Sequence, residues 1–143
     1  MLGPLAEVLL SREAMDTTRA TRRRMVLIVD DEPDLVATCA RLLRRKGYRC
    51  LTADSGREAI GLMDAERPDL VVTDLSMPVA DGLLVTRHAR RRVPPVPVVL
   101  MTAYASRDSE LDAREAGAAA FVKKPFTLQE LKSAIELALA QPS

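Results

Sequence analysis

A chain of 143 residues, 48% hydrophobic and with a net charge of +1, is sized for one domain with a sizeable core and is too short for two. The near balance of 21 basic and 20 acidic side chains gives no reason to expect nucleic acid or an anionic membrane surface as the main partner, and no apolar run is long enough to span a bilayer. Cys39 and Cys50 lie inside apolar periodic segments, which suits reduced thiols in a cytoplasmic protein better than a disulfide or a metal site.

Residues 1–24 carry scattered charges without a sustained period. They are expected to form a mobile extension, with a short helix near residues 5–10. Glu7 interrupts the apolar start and no basic residue precedes it, a poor match to a signal peptide. From Met25 onward strand and helix patterns alternate. Residues 25–30 read as a strand. A helix follows, with Pro33 in its first turn, Gly47 just past its end, and Leu35, Val36, Cys39, Leu42 and Leu43 on one face. A strand is expected at 48–53. Ser55-Gly56-Arg57-Glu58 reads as a capping box opening a helix with Ile60 and Met63 inward. Then come a strand at 70–74, a helix at 83–91, the stiff Pro94-Pro95-Val96-Pro97 connection, a strand at 98–102, a helix at 108–115 stopped by Gly117, and a strand at 120–122. Thr127-Leu128-Gln129-Glu130, a second capping box, opens a last helix with Leu128, Leu131, Ile135 and Leu139 on one side.

Five alternations predict an α/β fold with a doubly wound, five-stranded parallel sheet covered by helices on both faces. The natural strand order is the flavodoxin-like 2-1-3-4-5. Two apolar strands end in acid, at Val29-Asp30-Asp31 and at Thr73-Asp74. In that order their tips, with Thr102 from the fourth strand and Lys124 from the exit of the fifth, meet at the carboxyl edge of the sheet, where such folds place their sites. Asp74 is expected with its carboxylate exposed at the mouth. Three carboxylates there repel one another unless a cation joins them. The oxygen ligand set and the lack of a calcium loop point to Mg2+. A divalent cation, an ammonium and a hydroxyl around one carboxylate could hold a phosphoryl group, with Asp74 as the nucleophile.

Val29-Asp30-Asp31-Glu32, Thr73-Asp74-Leu75-Ser76-Met77-Pro78 with Asp81-Gly82, Met101-Thr102-Ala103 and Lys123-Lys124-Pro125-Phe126 stand in this order along residues 25–143. The chain resembles a response regulator receiver domain of two-component signalling. The resemblance implies that Asp74 is the phosphoacceptor. It implies Asp31, Asp74 and the Ser76 carbonyl as direct Mg2+ ligands, with Asp30 acting largely through water. Thr102 and Lys124 would bind the phosphoryl oxygens, with a cis bond before Pro125 helping to aim the lysine. Phe121 takes the switch aromatic position, moving inward as Thr102 moves toward the phosphoryl group. Ser76 and Tyr104 flank the path of attacking water, where a bulky ring at 104 should lengthen the phosphoryl lifetime. A sensor histidine kinase or a histidine phosphotransfer protein is the implied donor and a downstream effector protein the implied target. No direct nucleic-acid contact or membrane insertion is expected. The chain would act as a stand-alone receiver and not as an enzyme, beyond its own phosphoryl transfer and slow autodephosphorylation.

Other residues have plainer readings. Asp81 reads as a turn residue before Gly82, Lys123 as solvated, and the basic runs Arg22-Arg23-Arg24 and Arg90-Arg91-Arg92 as solvated surface. His88, the only histidine, reads as an exposed helix residue without an acidic neighbour in the chain, so the donating histidine belongs to another protein. A Mg2+-dependent phosphohydrolase would commonly have an acid two residues after the nucleophile, where this chain has Ser76. A receiver-like interaction module that works without phosphorylation is the other alternative, and the complete set of acids, threonine and lysine argues against it.

Overall fold

The structure is a computed structural model that describes residues 23–77 and 82–141. The expectations for residues 1–22, Pro78 and Asp81 lie outside the described residues. Five strands form one parallel sheet: β1 (Met25–Val29), β2 (Arg49–Ala53), β3 (Leu70–Asp74), β4 (Val98–Thr102) and β5 (Ala120–Lys123), in the order β2-β1-β3-β4-β5. Five helices alternate with them: α1 (Pro33–Arg45), α2 (Gly56–Glu66), α3 (Gly82–Arg91), α4 (Arg107–Ala116) and α5 (Leu128–Ala140). The expected fold class and strand order are those observed.

The pleat sorts each strand's side chains between two cores. Val26, Ile28, Leu70, Val72, Val99 and Met101 pack under α1 and α5, which contribute Cys39, Leu43, Leu131 and Ile135. Leu27, Val29, Val71, Val98 and Leu100 face the other way, against Ala59 and Met63 of α2, Val85 and Ala89 of α3 and Ala113 of α4. Every residue of β1, β3 and β4 is buried, whereas the edge strand β2 is largely part-exposed. The carboxyl ends of the three central strands carry Asp30, Asp74 and Thr102, all buried.

Local differences from the sequence reading have physical causes. Ser55 does cap α2, accepting from the Glu58 N–H at 3.2 Å, but the Glu58 carboxylate reaches past it to the Asp54 N–H at 3.3 Å, so the box is only half formed. Ala59, not Ile60, takes the fully buried position of α2, because the buried stripe runs Gly56, Ala59, Met63. α4 starts one residue earlier than expected: Ser106 caps it through a reciprocal arrangement with Ser109, without the glutamate of the usual pattern. The box at Thr127 and Glu130 forms in full. β1 stops at Val29, although the Asp30 N–H still donates to the Ala53 carbonyl at 3.2 Å. β5 gains Lys123, which lies opposite Thr102.

Candidate functional site

The carboxyl ends of β1 and β3 bring Asp30, Asp31 and Asp74 together, each with a carboxylate oxygen within 4.8 Å of the others'. Asp30 is completely buried and fully engaged: Oδ1 accepts from the Glu32 N–H at 3.0 Å, and Oδ2 from Lys124 Nζ at 2.7 Å. Asp31 is exposed. Asp74 departs from the expectation of an exposed carboxylate, since its side chain is only 10% exposed. Because β3 is buried along its whole length, its last residue is recessed between the neighbouring strand tips rather than presented on the surface.

Electrostatics follow from this crowding. Burial and then the charge of Asp30 push the Asp74 carboxyl above the usual carboxylate range, against the opposing effects of Lys124 and a backbone hydrogen bond from Ser76. Lys124 Nζ sits 2.7 Å from Asp30, 3.5 Å from Asp74 and 3.8 Å from Glu32. Burial alone would lower the lysine's pKa, but its hydrogen bond to Asp30 and the charges of Asp74, Asp30 and Glu32 outweigh that and raise it. The ammonium is thus held charged, and the Lys124–Pro125 peptide bond is cis, as expected. Burial, then Asp30, raises the Cys39 thiol to about 11, which leaves it an inert core group. Both cysteines are free.

Thr102 is buried at the tip of β4, and its Oγ1 accepts from the Tyr104 N–H at 3.1 Å while its carbonyl accepts from the Lys124 N–H at 2.7 Å. It joins the cluster's rim with its hydroxyl engaged by backbone. Phe121, half-buried, packs against the core under α2, α3 and α4. Tyr104 is 84% exposed, and Ser76 is exposed. Lys123 is exposed, as read from the sequence.

Three features escaped the sequence reading. Glu32 adds a third acid beside Lys124, after Asp30 and Asp74. Gly82, read only as part of a turn, closes the loop after β3: its N–H donates to the Leu75 carbonyl at 2.9 Å, and its own carbonyl accepts from Thr86 Oγ1 at 2.6 Å. A β-carbon there would collide with the Asp74 carbonyl oxygen and stand 2.8 Å from the Leu75 Cα, so only glycine fits. His88 has an acidic partner after all, because α2 brings Asp64 to it: Nε2 lies 2.9 Å from Asp64 Oδ1, which also meets Arg92 at 3.1 Å.

The donor set fits a hard divalent cation. Three carboxylates supply only oxygens, like charges crowd within one site, and exposed Asp31 leaves room for retained water.

A doubly wound sheet with an acid cluster and a lysine at the carboxyl ends of its strands defines a class of α/β domain whose site lies at the strand tips. The chain belongs to the response regulator receiver domain family, whose profile matches residues 26–136. It is 40% identical over 128 residues to the transcriptional regulatory protein PdtaR of Mycobacterium tuberculosis, covering 88% of this chain and 61% of that protein. It is 39% identical over 125 residues to the transcriptional regulatory protein PrrA of Mycobacterium bovis, covering 87% and 53%. The chain thus spans between half and two thirds of the length of these curated relatives. Among solved structures, chemotaxis protein CheY4 of Vibrio cholerae superposes with a TM-score of 0.78 at 26% identity, over 82% of this chain and 99% of that one. Receiver domains generally bind Mg2+ and generally accept phosphoryl groups from histidine kinases. No helix among the described residues is long and apolar enough to cross a membrane.

Proposed function

We propose that this receiver accepts a phosphoryl group on Asp74 from a phosphohistidine of a sensor kinase or phosphotransfer protein, in a Mg2+-dependent reaction, and switches a protein-binding face in response. The observation that carries the reading is the convergence of Asp30, Asp31 and Asp74 with Lys124 ranged 2.7 to 3.8 Å from the surrounding acids. Asp30, Asp31, Asp74 and the Ser76 carbonyl are the groups that would hold the cation. When bound it would offset the clustered negative charge and that of the transferring oxygens.

An Asp74 carboxylate oxygen attacks the phosphorus, an oxygen–phosphorus bond forms, and the phosphorus–nitrogen bond to the donor histidine breaks with its electron pair leaving on the imidazole. Lys124, held charged by its neighbours, neutralises a phosphoryl oxygen. The Thr102 hydroxyl gives up the Tyr104 N–H and turns to donate to another oxygen. Phe121, packed beside β4, then moves into the space vacated, and the surface of α4, β5 and α5 changes shape. The phosphoryl group biases an existing equilibrium rather than creating a new state. The chain catalyses only its own phosphorylation and slow dephosphorylation.

The test is transfer of labelled phosphoryl from a phosphohistidine donor. Wild type should take up label only with Mg2+ present, and Asp74→Asn should take up none. Label on the asparagine variant would assign the acceptor elsewhere.

A further inference from the structure

The two short basic runs that read as solvated surface converge in the fold. Arg24 precedes β1, and Arg90 and Arg92 stand at the end of α3. Together with Arg67, which ends α2, they line one cavity of about 340 Å3 at the amino-terminal end of the sheet. This is the far end from Asp74: five strand steps from Asp69 to Asp74 amount to about 16 Å. A cavity of this size is within the range of small-molecule sites.

The charges in it are unbalanced. Four arginines line the cavity against a single carboxylate, Asp69. That carboxylate is already used: Oδ2 accepts from the Met25 N–H at 2.7 Å, and Oδ1 is 3.9 Å from Arg24. Arg92 is turned to Asp64 at 3.1 Å. Among the described residues neither Arg67 nor Arg90 makes an ion pair. Arg67 holds a left-handed backbone conformation, φ 50° and ψ 64°, that a non-glycine residue adopts at some cost. Arg90 is set against Gly117, where an added β-carbon would come within 3.1 Å of the arginine's Cγ. Helix carboxyl ends do attract cations, and this accounts for arginines near the ends of α2 and α3. It does not account for their facing one concave space with no acid left to pair them.

We infer that this cleft binds a phosphorylated small molecule of nucleotide size. Guanidinium forks match phosphate oxygens in pairs, and they keep their charge at any physiological pH. Pro94, Pro95 and Pro97 form a rigid wall beside the arginines, an apolar surface against which the non-phosphate part of such a ligand can pack. The inference is independent of phosphorylation at Asp74, because the two sites occupy opposite ends of the sheet.

The test is amide-resolved NMR of the full chain without divalent cation at about 0.15 M salt, titrated separately with ATP, inorganic pyrophosphate and a single-stranded oligonucleotide. Saturable shifts with ATP centred on Arg67, Arg90, Gly117 and Ala119 are expected. Arg67→Gly, which suits the left-handed backbone, should weaken binding about tenfold, and Arg67→Gly with Arg90→Gln further, because charge-assisted hydrogen bonds carry that much. Unchanged circular dichroism certifies the fold, and the single variant stands as the test if the double variant unfolds. Four results would overturn the inference. They are no saturation by ATP or pyrophosphate up to about 10 mM, a range that already covers very weak binding; shifts centred instead on Lys124 and Thr102; affinity unchanged in Arg67→Gly; or binding only of the oligonucleotide.

Discussion

The two ends of one sheet carry opposite charge in different ways. At the carboxyl ends of the strands, three carboxylates and a lysine interlock within a few ångströms, and Asp30 is wholly buried. At the amino ends, four arginines ring an open cleft with one acid among them. Helix polarity suits both arrangements, since helix amino ends follow the strand tips and helix carboxyl ends precede the strand starts. The difference lies in the cost. The arginines, exposed or half-buried, border an open cleft, whereas the acids are crowded and partly desolvated, so one of them, Asp74, is pushed toward holding a proton. A site that is unfavourable as it stands is relieved by whatever binds or reacts there.

The largest expected effect comes from removing the lysine that keeps the acidic end together. Lys124→Met leaves Asp30 buried without its partner and should cost about 3–5 kcal/mol in denaturant unfolding without Mg2+. Lys123→Met, on an exposed side chain, should stay within about 0.5 kcal/mol. Because the folded pKa of Lys124 is raised, its contribution is full below the ordinary lysine value and fades only as pH climbs through the raised one. Titration of the lysine itself should therefore add no pH dependence to the gap between roughly pH 6 and 9, and any narrowing toward the acid side reports the carboxylates that Lys124 no longer holds down.

Gly82→Ala probes the backbone frame of the same end. The new methyl must push against the Asp74 carbonyl, and a loss of about 2 kcal/mol is expected, with Mg2+ affinity also reduced. Asp74→Asn should act in the opposite direction, stabilising the metal-free protein at neutral pH, measured by denaturant unfolding. The folded Asp74 pKa lies above the unfolded value, so native stability falls as pH rises through that interval. The gain from asparagine should vanish as pH drops below about 4. Like Lys123→Met, Tyr104→Glu should change stability by no more than about 0.5 kcal/mol, since the ring is 84% exposed. Its readout is kinetic: the aspartyl phosphate should be lost faster in the variant, measured as decay of label in Mg2+.

The acidic end was largely legible because its signals are local. An apolar run stopped by aspartate, at Val29-Asp30-Asp31 and again at Val72-Thr73-Asp74, marks a strand tip whatever the rest of the chain does. Five strand–helix alternations point to the doubly wound order that brings those tips together, and the sheet has that order. What was not legible depends on contacts between distant segments. His88 finds Asp64 from 24 residues away, and the arginines of two runs meet only because β1 and the end of α3 share one edge of the molecule. Gly82 could be seen as a turn residue, but the close approach of its backbone to Asp74 exists only in three dimensions. The depth of Asp74 was missed for a related reason: its exposure is set by neighbouring tips, not by its own position at the end of β3. Ser106 and Ser109 were overlooked because a serine replaces the acid that usually completes such a cap.

The most direct measurement is calorimetric titration of Mg2+ into wild type, Asp31→Asn and Asp74→Asn. Asp31 is exposed, so its variant alters the donor set with little risk to the fold. One saturable Mg2+ per chain in wild type, weakened at least about tenfold in each variant, is the expected result, since each removes a charged ligand. A wild type that binds no Mg2+, or variants that bind it as well as wild type does, would contradict the shared cation on which the account rests.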